Sequence, residues 1–103
     1  MEHAERLKAI SERLKQTYHA EKVILYGSHA TGLATPDSDI DLLVVAPAKE
    51  RFFDRMAKVL SLIRDLRRGL PVSPIVLSPE ELKERQRLND PFIREILQTG
   101  VVL

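Results

Sequence analysis

The sequence predicts one α/β domain over residues 1–103. Three observations carry that prediction. Apolar stripes at helical spacing alternate along the chain with short β-type runs. Leu42-Leu43-Val44-Val45 is apolar at every position, the pattern of a strand inside a sheet covered on both faces. The 103 residues suffice for one core, and no repeat, low-complexity stretch or linker divides them.

The elements follow in order. Residues 2–20 place Leu7, Ile10, Leu14 and Tyr18 on one stripe of an amphipathic helix with a charged opposite face. Lys22-Val23-Ile24-Leu25-Tyr26 is a strand stopped by Gly27. Residues 28–38 are small and polar, with Gly32 and Pro36, and predict a loop or one turn of helix. Residues 39–46 form a second strand, ended by Pro47. Residues 51–68 form a second helix, with Phe52, Met56, Val59 or Leu60, Ile63 and Leu66 on its stripe and Gly69 as its stop. Its interspersed charges, including Arg55, Arg67, Asp54 and Asp65, read as a solvated face. Residues 72–77 form a third strand. Pro74 has no N–H to donate, which puts this strand at an edge or makes it irregular near its start. Ser78-Pro79-Glu80-Glu81 opens a helix to about residue 88, with Ser78 as N-cap and Pro79 at the first position. Asn89-Asp90-Pro91 breaks it and opens another through residue 98. Residues 100–103 read as a terminal strand. The apolar C-terminal residues suit the core first and a partner surface second.

Composition excludes several functions. Sixteen Lys+Arg face 15 Asp+Glu, for a net charge of +1. Nucleic-acid binding by bulk charge is therefore not expected. With no cysteine, disulfide scaffolds, thiolate zinc sites and cysteine nucleophiles are excluded. The longest apolar run, residues 40–46 with Asp41 inside it, falls far short of the roughly 20 residues that span a bilayer. The start, Met1-Glu2-His3-Ala4-Glu5-Arg6, has no apolar signal core. A soluble, cytoplasmic protein without a membrane partner is expected.

The chemistry concentrates between Val23 and Val45. Asp39 and Asp41 stand two apart at the opening of a strand, so both carboxylates project from one face. Adjacent carboxylates repel unless a cation joins them, and hard oxygen ligands with substrate phosphates suit Mg²⁺. Gly27 lets a phosphate approach the backbone, and Ser28 adds a hydroxyl and an N–H. The alternative is structural: Gly-Ser is a common turn, and Ser38-Asp39 can form an Asx-type turn. It leaves Asp41, set among Ile, Leu and Val, without a partner for its charge. A P-loop is excluded because Leu33-Ala34 replaces its Lys-Ser/Thr. An EF-hand is excluded because Leu42 and Ala48 replace its Gly and Glu.

Gly27-Ser28-His29-Ala30-Thr31-Gly32 followed by Ser38-Asp39-Ile40-Asp41-Leu42 resembles the signature of the DNA polymerase beta-type nucleotidyltransferases. It is most similar to the minimal nucleotidyltransferases, in particular to the antitoxin-like partners of HEPN-domain proteins. The resemblance implies an α/β (α+β) nucleotidyltransferase-like fold, a small mixed β-sheet flanked by helices. It implies Gly27 and Ser28 as nucleotide-binding residues, and Asp39 and Asp41 as catalytic and Mg²⁺-binding residues. The implied reaction moves a nucleoside monophosphate, AMP from ATP, to a hydroxyl on a partner protein, here a HEPN-type toxin that the modification silences. The family carries a third carboxylate on the next core strand, where Ser73 stands here, and often arginines at the positions of His29 and Thr31. These departures support an alternative, an antitoxin that binds nucleotide or partner without catalysis. Transfer to RNA or a small molecule is a third and weaker alternative.

Overall fold

The apolar run at the middle of the chain becomes the middle of the sheet. The computed structural model describes residues 3–103; Met1 and Glu2, where the expected first helix begins, lie outside the described residues. Strand β2 (Ile40–Val45) lies between β1 (Lys22–Tyr26) and β3 (Val72–Leu77), and β4 (Val101–Val102) lies outside β1. β1 runs antiparallel to β2 and to β4, whereas β3 runs parallel to β2, so the sheet is mixed. Leu42, Leu43, Val44 and Val45 are all 3% exposed or less, as a strand with both faces covered requires. β3 is an edge strand, which accommodates Pro74 opposite Leu42.

Helices cover both faces. Leu7, Ile10 and Leu14 of α1 (Ala4–Thr17) and Val59 of α3 (Phe52–Leu62) pack on the face formed by Val23, Leu25, Leu42, Val44 and Val76. Ile93 and Ile96 of α5 (Pro91–Thr99), with Leu82 of α4 (Pro79–Arg87), pack on the face formed by Ile24, Leu43, Val45 and Leu77. Local chemistry sets the starts of these last two helices. Ser78 Oγ accepts from Glu81 N while Glu81 Oε1 accepts from Ser78 N at 2.7 Å, a full capping box. Asp90 Oδ1 accepts from Phe92 N at 2.9 Å and opens α5. Beyond the buried Ile93 and Ile96, the C-terminal residues Phe92, Leu97, Val101 and Val102 are exposed.

Four expectations are corrected. The first helix ends at Thr17, and the strand predicted from residue 39 begins at Ile40. The second helix stops at Leu62, not at residue 68, and turns follow. The cause is long-range: Arg6 donates to Leu66 O at 2.9 Å and to Arg68 O at 2.6 Å, and Arg13 donates to Leu62 O at 3.0 Å. Arg13 thus takes the Leu62 carbonyl that another helical turn would have used, and Arg6 satisfies two carbonyls of the turns that follow. Gly69, at φ +71°, serves the turn beyond. Nor is Arg55 on a solvated face. Its side chain is 12% exposed and joins Glu81 at 2.6 Å and Glu50 O at 2.7 Å.

Ser11 is buried on α1, and its hydroxyl has no hydrogen-bond partner among the described residues. Ser11→Ala removes an unpaired polar group and adds a better helix former. It is expected to stabilise the chain by about 1 kcal/mol, raising Tm by about 4–8 °C in thermal unfolding.

No helix among the described residues is long and apolar enough to cross a membrane.

Candidate active site

Register lines up one row across three strands. Tyr26 pairs with Asp41, and Asp41 pairs with Ser73. Register partners share a sheet face, and two residues along the strands this row continues as Ile24, Leu43 and Ile75 on the α5 side. The buried Ile40 belongs to the opposite face and anchors the start of β2 from below.

Gly27 turns the chain sharply out of β1, at φ +74° and ψ −153°, a region only glycine enters readily. A Cβ there would lie 2.5 Å from Asp41 Oδ2. The bare backbone of Gly27 therefore lies against the carboxylate. Its carbonyl accepts from Ala30 N at 3.0 Å and from Thr31 N at 3.2 Å, which starts the single turn α2 (Ser28–Thr31). Ser28, at the head of that turn, has a first-turn N–H with no intrahelical acceptor.

The approach to Asp39 is tied at both ends. Thr35 N donates to Ser38 Oγ at 2.8 Å and Ser38 N donates to Thr35 O at 3.0 Å, closing a turn. His29 Nε2 lies 3.3 Å from Ser38 O. On the other side, Ile40 N donates to Pro71 O at 2.9 Å. Asp39 is exposed and Asp41 is half-buried. Burial first, and then the charge of Asp39, hold the Asp41 carboxyl above its ordinary value, while His29 pulls it the other way. Tyr26 is pushed up to about 12 by burial and by the Asp41 charge, so its phenol stays neutral. Its ring meets Phe92 of α5 edge-on at 5.6 Å.

All four residues singled out in the sequence, Gly27, Ser28, Asp39 and Asp41, thus gather at one end of the sheet. Ser73 lies beside Asp41 on β3. His29 is half-buried, and its ring meets Ser38 O beside the two aspartates. Glu81 is excluded from the site: it caps α4, which follows the far end of β3, and pairs with Arg55. Asp65 pairs with Arg13 at 2.8 Å. What spacing did not reveal is the wall that α5 builds beside Tyr26. The one sequence signal was Phe92, an aromatic off the Ile93–Ile96 stripe.

The donor set fits a magnesium ion. Two carboxylates repel at the mouth, and no group of three or more His, Asp or Glu suited to a metal occurs among the described residues. Mg²⁺ is characteristically held by one or two carboxylates, with phosphate oxygens and water completing its shell.

Comparison with known proteins agrees with this geometry. The family described as "Nucleotidyltransferase domain" matches residues 7–103. A Methanocaldococcus jannaschii protein named a "putative protein adenylyltransferase" is 36% identical over 102 residues, covering 93% of this chain and 95% of that protein. A second protein of the same name and organism is 38% identical over 63 residues, 58% of this chain and 43% of the relative. A crystal structure described as a "putative nucleotidyltransferase" from Sulfolobus solfataricus aligns with TM-score 0.63 and 29% identity, over 95% of this chain and 76% of that one. Gly27-Ser28 directly after one strand, Asp39-x-Asp41 across the start of the next and a family match from residue 7 to residue 103 lead to one conclusion: the chain belongs to the nucleotidyltransferase domain family.

Proposed function

We propose that this chain transfers AMP from magnesium–ATP to a hydroxyl on a partner protein in the cytoplasm, and that the partner is a HEPN-type toxin silenced by the modification. The observation that carries the reading is the contact between Gly27 and Asp41. It places backbone without a side chain directly against the Asp41 carboxylate, one of the two acids of the site. The names of the Methanocaldococcus relatives support AMP as the group and protein as the acceptor. The HEPN partner rests on the motif resemblance.

Asp39 and Asp41 would hold the magnesium ion, which when bound offsets the negative charge of the phosphates and of the departing pyrophosphate. Gly27 keeps the phosphate approach clear of side chains. Ser28 offers its hydroxyl and N–H to phosphate oxygens. Tyr26 stays protonated, so it adds no third negative charge to the row. The acceptor oxygen bonds to the α-phosphorus as the bond from that phosphorus to the pyrophosphate oxygen breaks. Ser73 offers no base at neutral pH, so the hydroxyl proton is lost to solvent.

The same serine favours a second reading. Asp41 has a hydroxyl, not a carboxylate, as its neighbour on β3, which suits a module that binds its partner without modifying it. The two readings separate in one experiment. The chain is incubated with Mg²⁺ and α-labelled ATP in lysate of its source cells, beside the Asp39→Asn/Asp41→Asn variant and with α-labelled GTP, CTP and UTP in parallel. Label on one protein band, only with intact aspartates, is the expected result. No transfer from any nucleotide, with a partner still captured, supports the binding module.

A further inference from the structure

We propose that the cavity between α2 and α5 is the nucleobase pocket, and that Glu95 selects an amino-bearing base, as adenine is, against uracil. This rests on the nucleotide reading above.

The cavity holds about 300 Å³ and begins at Gly27, the phosphate end of the site. That is at the small end of the roughly 300–1,000 Å³ of ligand pockets, a size for a flat ring. Tyr26 and Phe92 meet edge to face on one side, and Leu33, 77% exposed, lies on the lip. These are apolar and aromatic walls for a planar heterocycle. No cation lines the cavity, so it does not attract phosphate.

Of the polar lining, the two threonines are paired, whereas the Tyr26 hydroxyl and the Glu95 carboxylate have no hydrogen bond among the described residues. Thr31 Oγ1 donates to Gly27 O, and Thr99 Oγ1 donates to Glu95 O at 2.8 Å. Glu95 lines the cavity, and its carboxylate has no hydrogen bond or ion pair among the described residues. An ionised carboxylate only accepts. Adenine, guanine and cytosine offer it an amino group, as cytosine does to Glu or Asp in DNA readout. Uracil sets carbonyl oxygens on both sides of its one N–H, and these are repelled. Selection therefore includes a repulsive element against the wrong base. α5 is held to the sheet through Ile93 and Ile96, 1% and 2% exposed, so the helix that carries the exposed Glu95 is a fixed wall.

Calorimetric titration with ATP, UTP and inorganic tripolyphosphate in Mg²⁺ tests this. The wild-type chain is expected to bind ATP at least about tenfold more tightly than UTP. Glu95→Gln, whose amide both donates and accepts, is expected to bring the two within about twofold, with tripolyphosphate affinity unchanged. Phe92→Ala weakens ATP and UTP together and spares tripolyphosphate. Leu33→Ser, on an exposed loop, repeats that test where Phe92→Ala disturbs α5. Equal binding of ATP and UTP by the wild type, a preference that survives Glu95→Gln, or ATP binding untouched by Phe92→Ala and Leu33→Ser overturns the pocket alone. Failure of both ATP and tripolyphosphate to bind the wild type overturns the nucleotide reading and the pocket with it.

Discussion

Alanine at position 27 is expected to destabilise the fold by roughly 2–4 kcal/mol and to abolish nucleotide transfer. Two costs coincide there. At φ +74° and ψ −153° the backbone occupies a region closed to a residue with a Cβ. The added methyl would also sit 2.5 Å from Asp41 Oδ2, well inside contact distance. The strain can be relieved only by moving the turn or the carboxylate. Moving the turn shifts Ser28 and α2; moving the carboxylate separates Asp41 from Asp39. Either way the phosphate approach and the carboxylate pair lose their alignment. Thermal unfolding should show Tm falling by roughly 10–20 °C for a chain of this size. The α-label assay reads the loss of transfer. Gly32→Ala is the control: its φ is also positive, but no atom lies within 4 Å of the added Cβ. It should cost backbone strain and keep most of the transfer.

Asp41→Asn is expected to separate stability from activity. Transfer should fall by at least about 100-fold, because an amide oxygen is a weak ligand for the ion the carboxylate pair would hold. Stability should move the other way at neutral pH. Burial and Asp39 hold the folded-state carboxyl above its ordinary value. A carboxyl that holds its proton more tightly when folded supports the fold while protonated. That contribution is fully present below the ordinary carboxylate range and is lost as pH rises through the raised value. In chelator, the wild-type chain should therefore be less stable than Asp41→Asn at neutral pH. The gap should close as the pH is brought below the ordinary carboxylate range. Thermal unfolding of both proteins across that range measures it; a gap that is constant with pH would show that Asp41 titrates in the folded chain as it does in the unfolded one.

Much of this was legible before folding. The α1 stripe, the doubly covered β2, the edge position of β3 and the capped start of α4 are local matters of periodicity and turn chemistry, and each appears where it was read. Gly27 and Asp41 drew attention because a sharp strand end and a carboxylate in an apolar strand conflict with ordinary packing. The end of α3 was misread because its cause lies about 50 to 60 residues away, in Arg6 and Arg13. Arg55 was misread because a charge in a helix pattern looks solvated until its partners on other elements are known.

Local spacing thus carried the order of elements and the four residues of the candidate site, since neighbours on a strand or a turn have their relative directions set by backbone geometry. The row of Tyr26, Asp41 and Ser73, the contact of Gly27 with Asp41 and the α5 wall with Phe92 and Glu95 came only with the tertiary structure. Strand register and the choice of helix face are settled by which apolar groups bury one another across the whole sheet. No window of adjacent residues contains that information.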